Sequence, residues 1–306
     1  MLGKRFLEHS TLGIIAPASP SEKEVIDRQI ECLRGLGFKL KLGKHLYDKY
    51  GFLAGTDEER AQDLMDAFLD EKVDAIMCYR GGYGTIRMLP YLDFNIIKNN
   101  PKIFIGFSDV TLLLNSIYER CGLTTFHGVM ANSGTDNPIS IDSLKQSIMK
   151  GYDNYRICNP KGTPLTFKNF SGNIEGTLVG GNLAVICSSI GTDYEIDVKD
   201  KILFLEDIAE PPYKLDRLLA QLALSGKLKE CRGVLLGQFT NCTLPHYERS
   251  FTLEQVIEDN FISKGIPICY HIMSGHGSPR LTLPIGAKVR LNAENKCIDV
   301  LEAVVK

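Results

Sequence analysis

The segment KIFIGFSDVTLLLNSIYERCG, residues 102–122, holds a serine in a setting suited to nucleophilic chemistry. An apolar run ends at Gly106, and a helix starts near Asp109, continued by Leu112, Leu113, Ser116 and Ile117. Ser108 therefore falls on a sharp strand-to-helix turn. In such a nucleophile elbow the hydroxyl is lifted clear of the sheet and the following backbone N–H groups face a developing oxyanion. The tetrad G-x-S-D departs from G-x-S-x-G in its last residue, and the alternative is that Ser108 or Asp109 caps the helix.

Three other stretches carry candidate chemistry. CYRGGYGTIR, residues 78–87, is a glycine-rich turn leaving a strand. It is not a dinucleotide fingerprint, since Arg87 stands where a third glycine belongs, and it lacks the P-loop lysine. Its glycines let backbone N–H groups approach a ligand closely, or they form a tight loop with no ligand. LFLEDIAEPPYKLDR, residues 203–217, sets Glu206 and Asp207 at the end of a strand, where either could orient a base or cap the segment after the strand. His276, in MSGHGSPRLTLPIG, lies between Gly275 and Gly277 on a loop, where a histidine is either exposed surface or a site residue. His9 and His45 show nothing comparable, and His127, His246 and His271 have weaker loop settings. Nine cysteines are scattered, the nearest pair being Cys231 and Cys242. Without C-x-x-C, H-E-x-x-H or a Cys/His cluster, no metal site is expected, and the cysteines read as buried, reduced thiols.

The elements that position these residues can be read from apolar patterning. LGIIAP (12–17), VDAIMCY (73–79), KIFIG (102–106) and LTTFH (123–127) are continuous apolar runs, the pattern of strands covered on both faces, with a weaker strand at FKLKLG (38–43). Between them, Ser21-x-x-Glu24 and Thr56-x-x-Glu59 read as capping boxes, the first ahead of Ile26, Ile30 and Leu33, the second ahead of Ala61, Leu64, Met65, Phe68 and Leu69. The alternation predicts a βαβ series and a doubly wound parallel sheet over residues 1–150. Around a short helix near 140–150, the Asn, Gly and Pro punctuation of 132–177 predicts a loop-rich crossover, with 151–175 as the linker. ILFLED (202–207), GVLLGQF (233–239) and PICYHI (266–271), a helix at 214–224, and short terminal strands AKVRLN and CIDVLE make 176–306 a second, smaller α/β domain with mixed and antiparallel strands.

Composition narrows the function classes. The 306 residues, 44% hydrophobic, suit two domains that each bury a core. Lys and Arg number 35 against 37 Asp and Glu, a net charge of −2, which gives no electrostatic reason to bind nucleic acid. The apolar stretch ending at Pro17 is too short for a secretory signal, and no run approaches the roughly 18 residues of a membrane helix. The expectation is a cytoplasmic protein with no membrane partner.

RGGYGT, GFSD, FHGVM, EGTLVGGNL, LFLEDIAEPPYKLDR and GHGSPRLTLPIG, in this order, resemble the LD-carboxypeptidases, serine peptidases that include murein tetrapeptide carboxypeptidases and microcin C immunity proteins. The resemblance spans the chain from IIAPAS to LPIGAKVRL. It implies a flavodoxin-like or amidotransferase-like first domain carrying the nucleophile Ser108, and a second domain supplying Glu206 and His276. It also implies an oxyanion hole from the backbone N–H groups of Asp109 and Gly82, no cofactor, a small peptide substrate and a homodimer. Arg80 and Gly81, in the glycine-rich turn, are the candidates for holding the substrate's terminal carboxylate. The implied reaction removes D-alanine from cytoplasmic murein tetrapeptides in peptidoglycan recycling. An alternative is hydrolysis of an aminoacyl adenylate, which in the microcin branch uses a tryptophan platform; this chain has no tryptophan. Another class altogether is a small-ligand-binding module without catalysis.

Overall fold

Short apolar runs become central strands and amphipathic stretches become covering helices in a computed structural model that describes residues 1–244 and 246–306. The chain divides into two units, the first formed by Met1–Asp153, Thr282–Gly286 and Ala303–Lys306, the second by Asn154–Leu281 and Ala287–Glu302.

In the first unit the order is β1 (Thr11–Ile15), α1 (Lys23–Gly35), β2 (Lys39–Leu42), α2 (Asp57–Leu69), β3 (Ala75–Cys78), α3 (Thr85–Met88), α4 (Phe94–Asn99), β4 (Ile103–Gly106), α5 (Thr111–Cys121), β5 (Thr125–His127) and α6 (Pro138–Lys150). The five strands are parallel in the spatial order β2-β1-β3-β4-β5, the flavodoxin-like winding. Every residue of β3 and β4 is buried, as their continuous apolar runs require. Only β2 alternates, with Lys39 and Lys41 exposed on the edge. Thr56 and Glu59 form the expected capping box. The one expected at Ser21 does not form: Glu22 is the extended residue before α1, so Ser21 lies outside the helix and its hydroxyl caps nothing there. This strand order puts the topological switch point between β1 and β3, the place where doubly wound sheets bind ligands.

The second unit runs β6 (Tyr155–Ile157), β7 (Thr166–Lys168), β8 (Asn173–Asn182), α7 (Leu183–Ser189), β9 (Ile202–Ile208), α8 (Pro212–Leu224), α9 (Lys227–Glu230), β10 (Gly233–Thr240), α10 (Leu253–Ile257) and β11 (Ile268–Gly275). The chain then gives β12 (Leu283–Ile285) to the first unit's sheet, antiparallel to β5, and returns for β13 (Lys288–Asn292) and β14 (Cys297–Val300). The second sheet is ordered β6-β14-β13-β8-β9-β10-β11-β7, parallel from β8 to β11 and antiparallel outside that block.

Two boundary expectations are corrected. Residues 151–175 are not a linker: they supply β6, β7 and the start of β8. Three-residue strands are too short to show periodicity, so their flanking Asn, Gly and Pro dominate the sequence pattern. The first unit is also not contiguous, because β12 and the last four residues belong to it; Val304 N–H donates to Gly151 O at 2.7 Å and Lys306 N–H to Gly3 O at 3.0 Å. Among the described residues, no helix is long and apolar enough to cross a membrane.

Candidate active site

β4 delivers the chain to Phe107 in an extended conformation, and Ser108 comes next with φ 64°, a left-handed backbone that non-glycine residues seldom adopt. A 3-10 turn, Ser108–Val110, then leads into α5. Such strain persists where the surroundings over-determine it, and here they do. The Asp109 carboxylate accepts from Thr85 N–H at 2.8 Å, while the Thr85 hydroxyl donates to Asp109 O at 2.6 Å, which fastens the elbow to the start of α3. Burial pushes the Asp109 carboxyl up to about 6, against the pull of its bonds to Thr85 and the charge of Arg60. Neither Ser108 nor Asp109 caps α5, which starts without a side-chain cap.

The glycine-rich turn faces this elbow. A Cβ on Gly81 would lie 2.8 Å from Ser108 Cβ, 2.9 Å from its Oγ and 3.4 Å from Asp109 N, so only glycine keeps open the space before the hydroxyl and that N–H. An oxyanion could sit there. Gly82 has φ 118°, and its next residue, Tyr83, donates its N–H to Ser19 Oγ at 3.1 Å, which ties the turn to the loop after β1. Arg80 Nη1 donates to Pro20 O at 3.1 Å, and its buried Nε has no partner among the described residues.

Arg60, on α2, is the residue that sequence reasoning missed. It is 1% exposed, donates Nη1 to Pro17 O at 2.6 Å and to Gly84 O at 2.9 Å, and pairs with Asp57. One guanidinium thus ties the loop after β1 to the glycine-rich turn that faces Ser108. The signal was present as a charge beside the apolar face Ala61, Leu64 and Phe68, but that position reads equally as solvated.

In the second unit, strand alternation separates the two acids at the end of β9. Glu206 is fully buried, and its Oε2 lies 2.7 Å from His276 Nδ1. Asp207 faces the other way, accepting from Asn182 Nδ2 at 3.0 Å, Ile208 N–H at 2.8 Å and Ala184 N–H at 2.9 Å, which secures the start of α7. Burial pushes Asp207 up to about 6. The acid paired with the histidine is therefore Glu206, and Asp207 is part of the scaffold. His276 comes directly after β11, and a Cβ on Gly275, at φ 138°, would lie 2.9 Å from Glu206 Oε2, so glycine is what lets the loop come this close. With Nδ1–H donated to the carboxylate, Nε2 is the ring nitrogen able to exchange a proton.

His45, Asp48 and Glu59 are the one group of possible metal ligands among the described residues, with ligand atoms within 4.8 Å of one another. His45 Nδ1 lies 2.6 Å from Asp48 Oδ2 and Glu59 closes the α2 capping box, so the fold accounts for all three. No disulfide joins the nine cysteines; six are buried, whereas Cys32 and Cys158 are exposed, contrary to the expectation for the set.

Residues 12–128 match the LD-carboxypeptidase N-terminal domain and residues 175–291 the LD-carboxypeptidase C-terminal domain. A Bacillus subtilis protein named "Probable murein peptide carboxypeptidase" is 44% identical over 96% of this chain and 92% of its own length. The murein tetrapeptide carboxypeptidase of Pseudomonas aeruginosa is 34% identical over 90% of this chain and 91% of its own. Among solved structures, MccF in complex with glutamyl sulfamoyl guanosine superposes with a TM-score of 0.92 at 26% identity, covering 100% of this chain and 99% of that one.

Proposed function

The chain belongs to the LD-carboxypeptidase family, and from that premise we propose that it hydrolyses the bond before a terminal D-alanine in murein tetrapeptides through Ser108, His276 and Glu206. The observation that carries this reading is the left-handed Ser108 with Gly81 held open against its hydroxyl. A serine hydroxyl is a weak nucleophile at its own pKa, so His276 Nε2 takes its proton while Glu206 fixes the tautomer and stabilises the imidazolium. Asp109 N–H and Gly82 N–H receive the oxyanion, each such donor lowering the barrier by about 2.7–4 kcal/mol. His276 returns the proton to the leaving amine, and water, deprotonated by the same imidazole, releases the acyl chain from Ser108. Support for the murein substrate comes from relatives with that name over nine-tenths of the chain. Arg80 and Gly81 are assigned to the substrate's terminal carboxylate, and the protein to the cytoplasm as a homodimer, which sedimentation velocity tests.

A carboxypeptidase must recognise a free terminal carboxylate. Amidating the tetrapeptide's C-terminus keeps the scissile bond but removes that charge, and should lower kcat/KM about 10- to 100-fold, matching roughly 1.5–3 kcal/mol for a hydrogen bond to a charged group. Equal values for acid and amide would make the enzyme an amidase or endopeptidase. The likeness to MccF favours one second reading, hydrolysis of an aminoacyl adenylate analogue. An aminoacyl sulfamoyl adenosine cleaved faster than the tetrapeptide would establish it instead.

A further inference from the structure

β9 and β10 fall out of step beside Glu206. Leu205 pairs with Leu236 and Asp207 with Phe239, so the single residue Glu206 lies opposite two, Gly237 and Gln238. This is a β-bulge, a device that re-aims a side chain. A Cβ on Gly237 would lie 2.3 Å from Ser274 O and 3.2 Å from Glu206 Cβ, so the bulge depends on glycine there. Its effect falls on Gln238, whose carboxamide spans the loop after β11: Oε1 accepts from Gly277 N–H at 3.1 Å and Nε2 donates to Pro279 O at 3.2 Å. The loop lies flat on that amide, since a Cβ on Gly277 would come within 2.6 Å of Nε2. On the other side of His276, Arg280 Nε donates to Gly275 O.

We propose that Gln238 is a positioning residue for His276, holding the peptide after the imidazole so that the ring meets Glu206 at the angle proton transfer needs. The Glu206 bond fixes one ring nitrogen, but the direction of Nε2 also depends on where the backbone of residue 276 stands. Gln238 fixes that backbone from the C-terminal side, through Gly277 N–H and Pro279 O. The inference rests on His276 acting as the base, as proposed above. Displacement of a catalytic group by about 1 Å lowers turnover about 100-fold.

The test is Gln238→Leu, which removes both hydrogen bonds, alongside Gly277→Ala, which pushes the loop off an intact amide. A cavity of about 770 Å³, lined in part by Leu236, Phe239, Tyr270 and Met273, adjoins Gln238 and gives the leucine room. In each variant kcat for the tetrapeptide should fall about 10- to 100-fold, with KM within about twofold and the melting temperature within about 2 °C of wild type. The downfield Nδ1–H resonance of His276 should shift or broaden in both. The double variant should be no worse than the poorer single one, because both break the same contact. Unchanged kcat in both singles, losses that multiply in the double, or losses that track the unfolded fraction would each overturn the role. His276→Ala is run in the same assay: if it retains wild-type turnover, the proposed base is wrong, whereas its inactivity beside an unaffected Gln238→Leu removes only the positioning role.

Discussion

Around Ser108 the groups that matter are backbone ones: a left-handed φ, an N–H at Asp109, and a glycine whose missing Cβ leaves the space before them open. Buried side chains at Arg60 and Asp109 act there by gripping carbonyls and N–H groups of the loops. Around His276 the matter is reversed. One side chain meets another, Glu206 to His276, and the glycines serve to bring the loop close enough for that pairing. Stabilising a transient oxyanion calls for preorganised dipoles, which backbone supplies without rotamer freedom. Transferring a proton calls for a titratable ring with an orienting carboxylate.

The largest effects should ignore this contrast. Ser108→Ala and His276→Ala should each reduce kcat about 10⁴-fold or more, with the double variant no worse, since a triad acts as a unit. Glu206→Ala should come close behind them, while Asp207→Ala should act mainly on stability. Turnover of the tetrapeptide and thermal melting measure both, and a reversed result for the two acids would exchange their roles.

Glycine substitutions should expose the contrast directly. Gly81→Ala puts a methyl 2.8 Å from Ser108 Cβ and 2.9 Å from its Oγ, at a position with no left-handed backbone, so activity should fall about 100- to 1,000-fold with a smaller loss of melting temperature than at Gly275. Gly275→Ala meets Glu206 Oε2 at 2.9 Å and also forces an L side chain into φ 138°, so activity and stability should fall together. Equal melting of the two variants would show that the second loop is less constrained than its geometry indicates.

The smallest effect concerns pH. Asp109 is held at about 6, above the ordinary 3.8, so the native state binds its proton more tightly than the unfolded state does. Its contribution to stability is complete below about pH 3.8 and is lost as pH rises through about 6. Asp109→Asn, which keeps an acceptor for Thr85 N–H, should therefore gain on wild type across that range, by at most about 3 kcal/mol, and run parallel above it. Urea midpoints measured through the range decide this, and a constant gap would mean that Asp109 does not titrate there. Asp207→Asn should show the same slope with a constant loss added, because an amide cannot accept on both sides as Asp207 does.

Much of this architecture is legible in the chain because it is written locally. Short, fully apolar runs at 75–78 and 103–106, too short for a helix of ordinary length, read as buried strands, and a strand stopping at Gly106 before a helix already implies a sharp turn at Ser108. Glu206 and Asp207 could not be separated by composition; the resemblance favoured the first, and the alternation of β9 gives the reason. What escaped reading is non-local. β12 is three residues long and finds its partner, β5, more than 150 residues earlier in the chain. The bulge at Gly237 has no periodic trace, since a slip of one residue exists only relative to the neighbouring strand. Arg60 shows its value only when the carbonyls of Pro17 and Gly84 arrive from other loops.

The return of β12 and of residues 303–306 to the first unit has a consequence for biosynthesis. The first 153 residues, on leaving the ribosome, lack the strand that covers β5, and they lack Val304 and Val305, both buried in the finished protein. An open edge at Thr125–His127 invites wrong pairing until Leu283–Ile285 is made. The unit bearing Ser108 is therefore begun before the second unit and completed after it, and no single cut in the chain releases it whole.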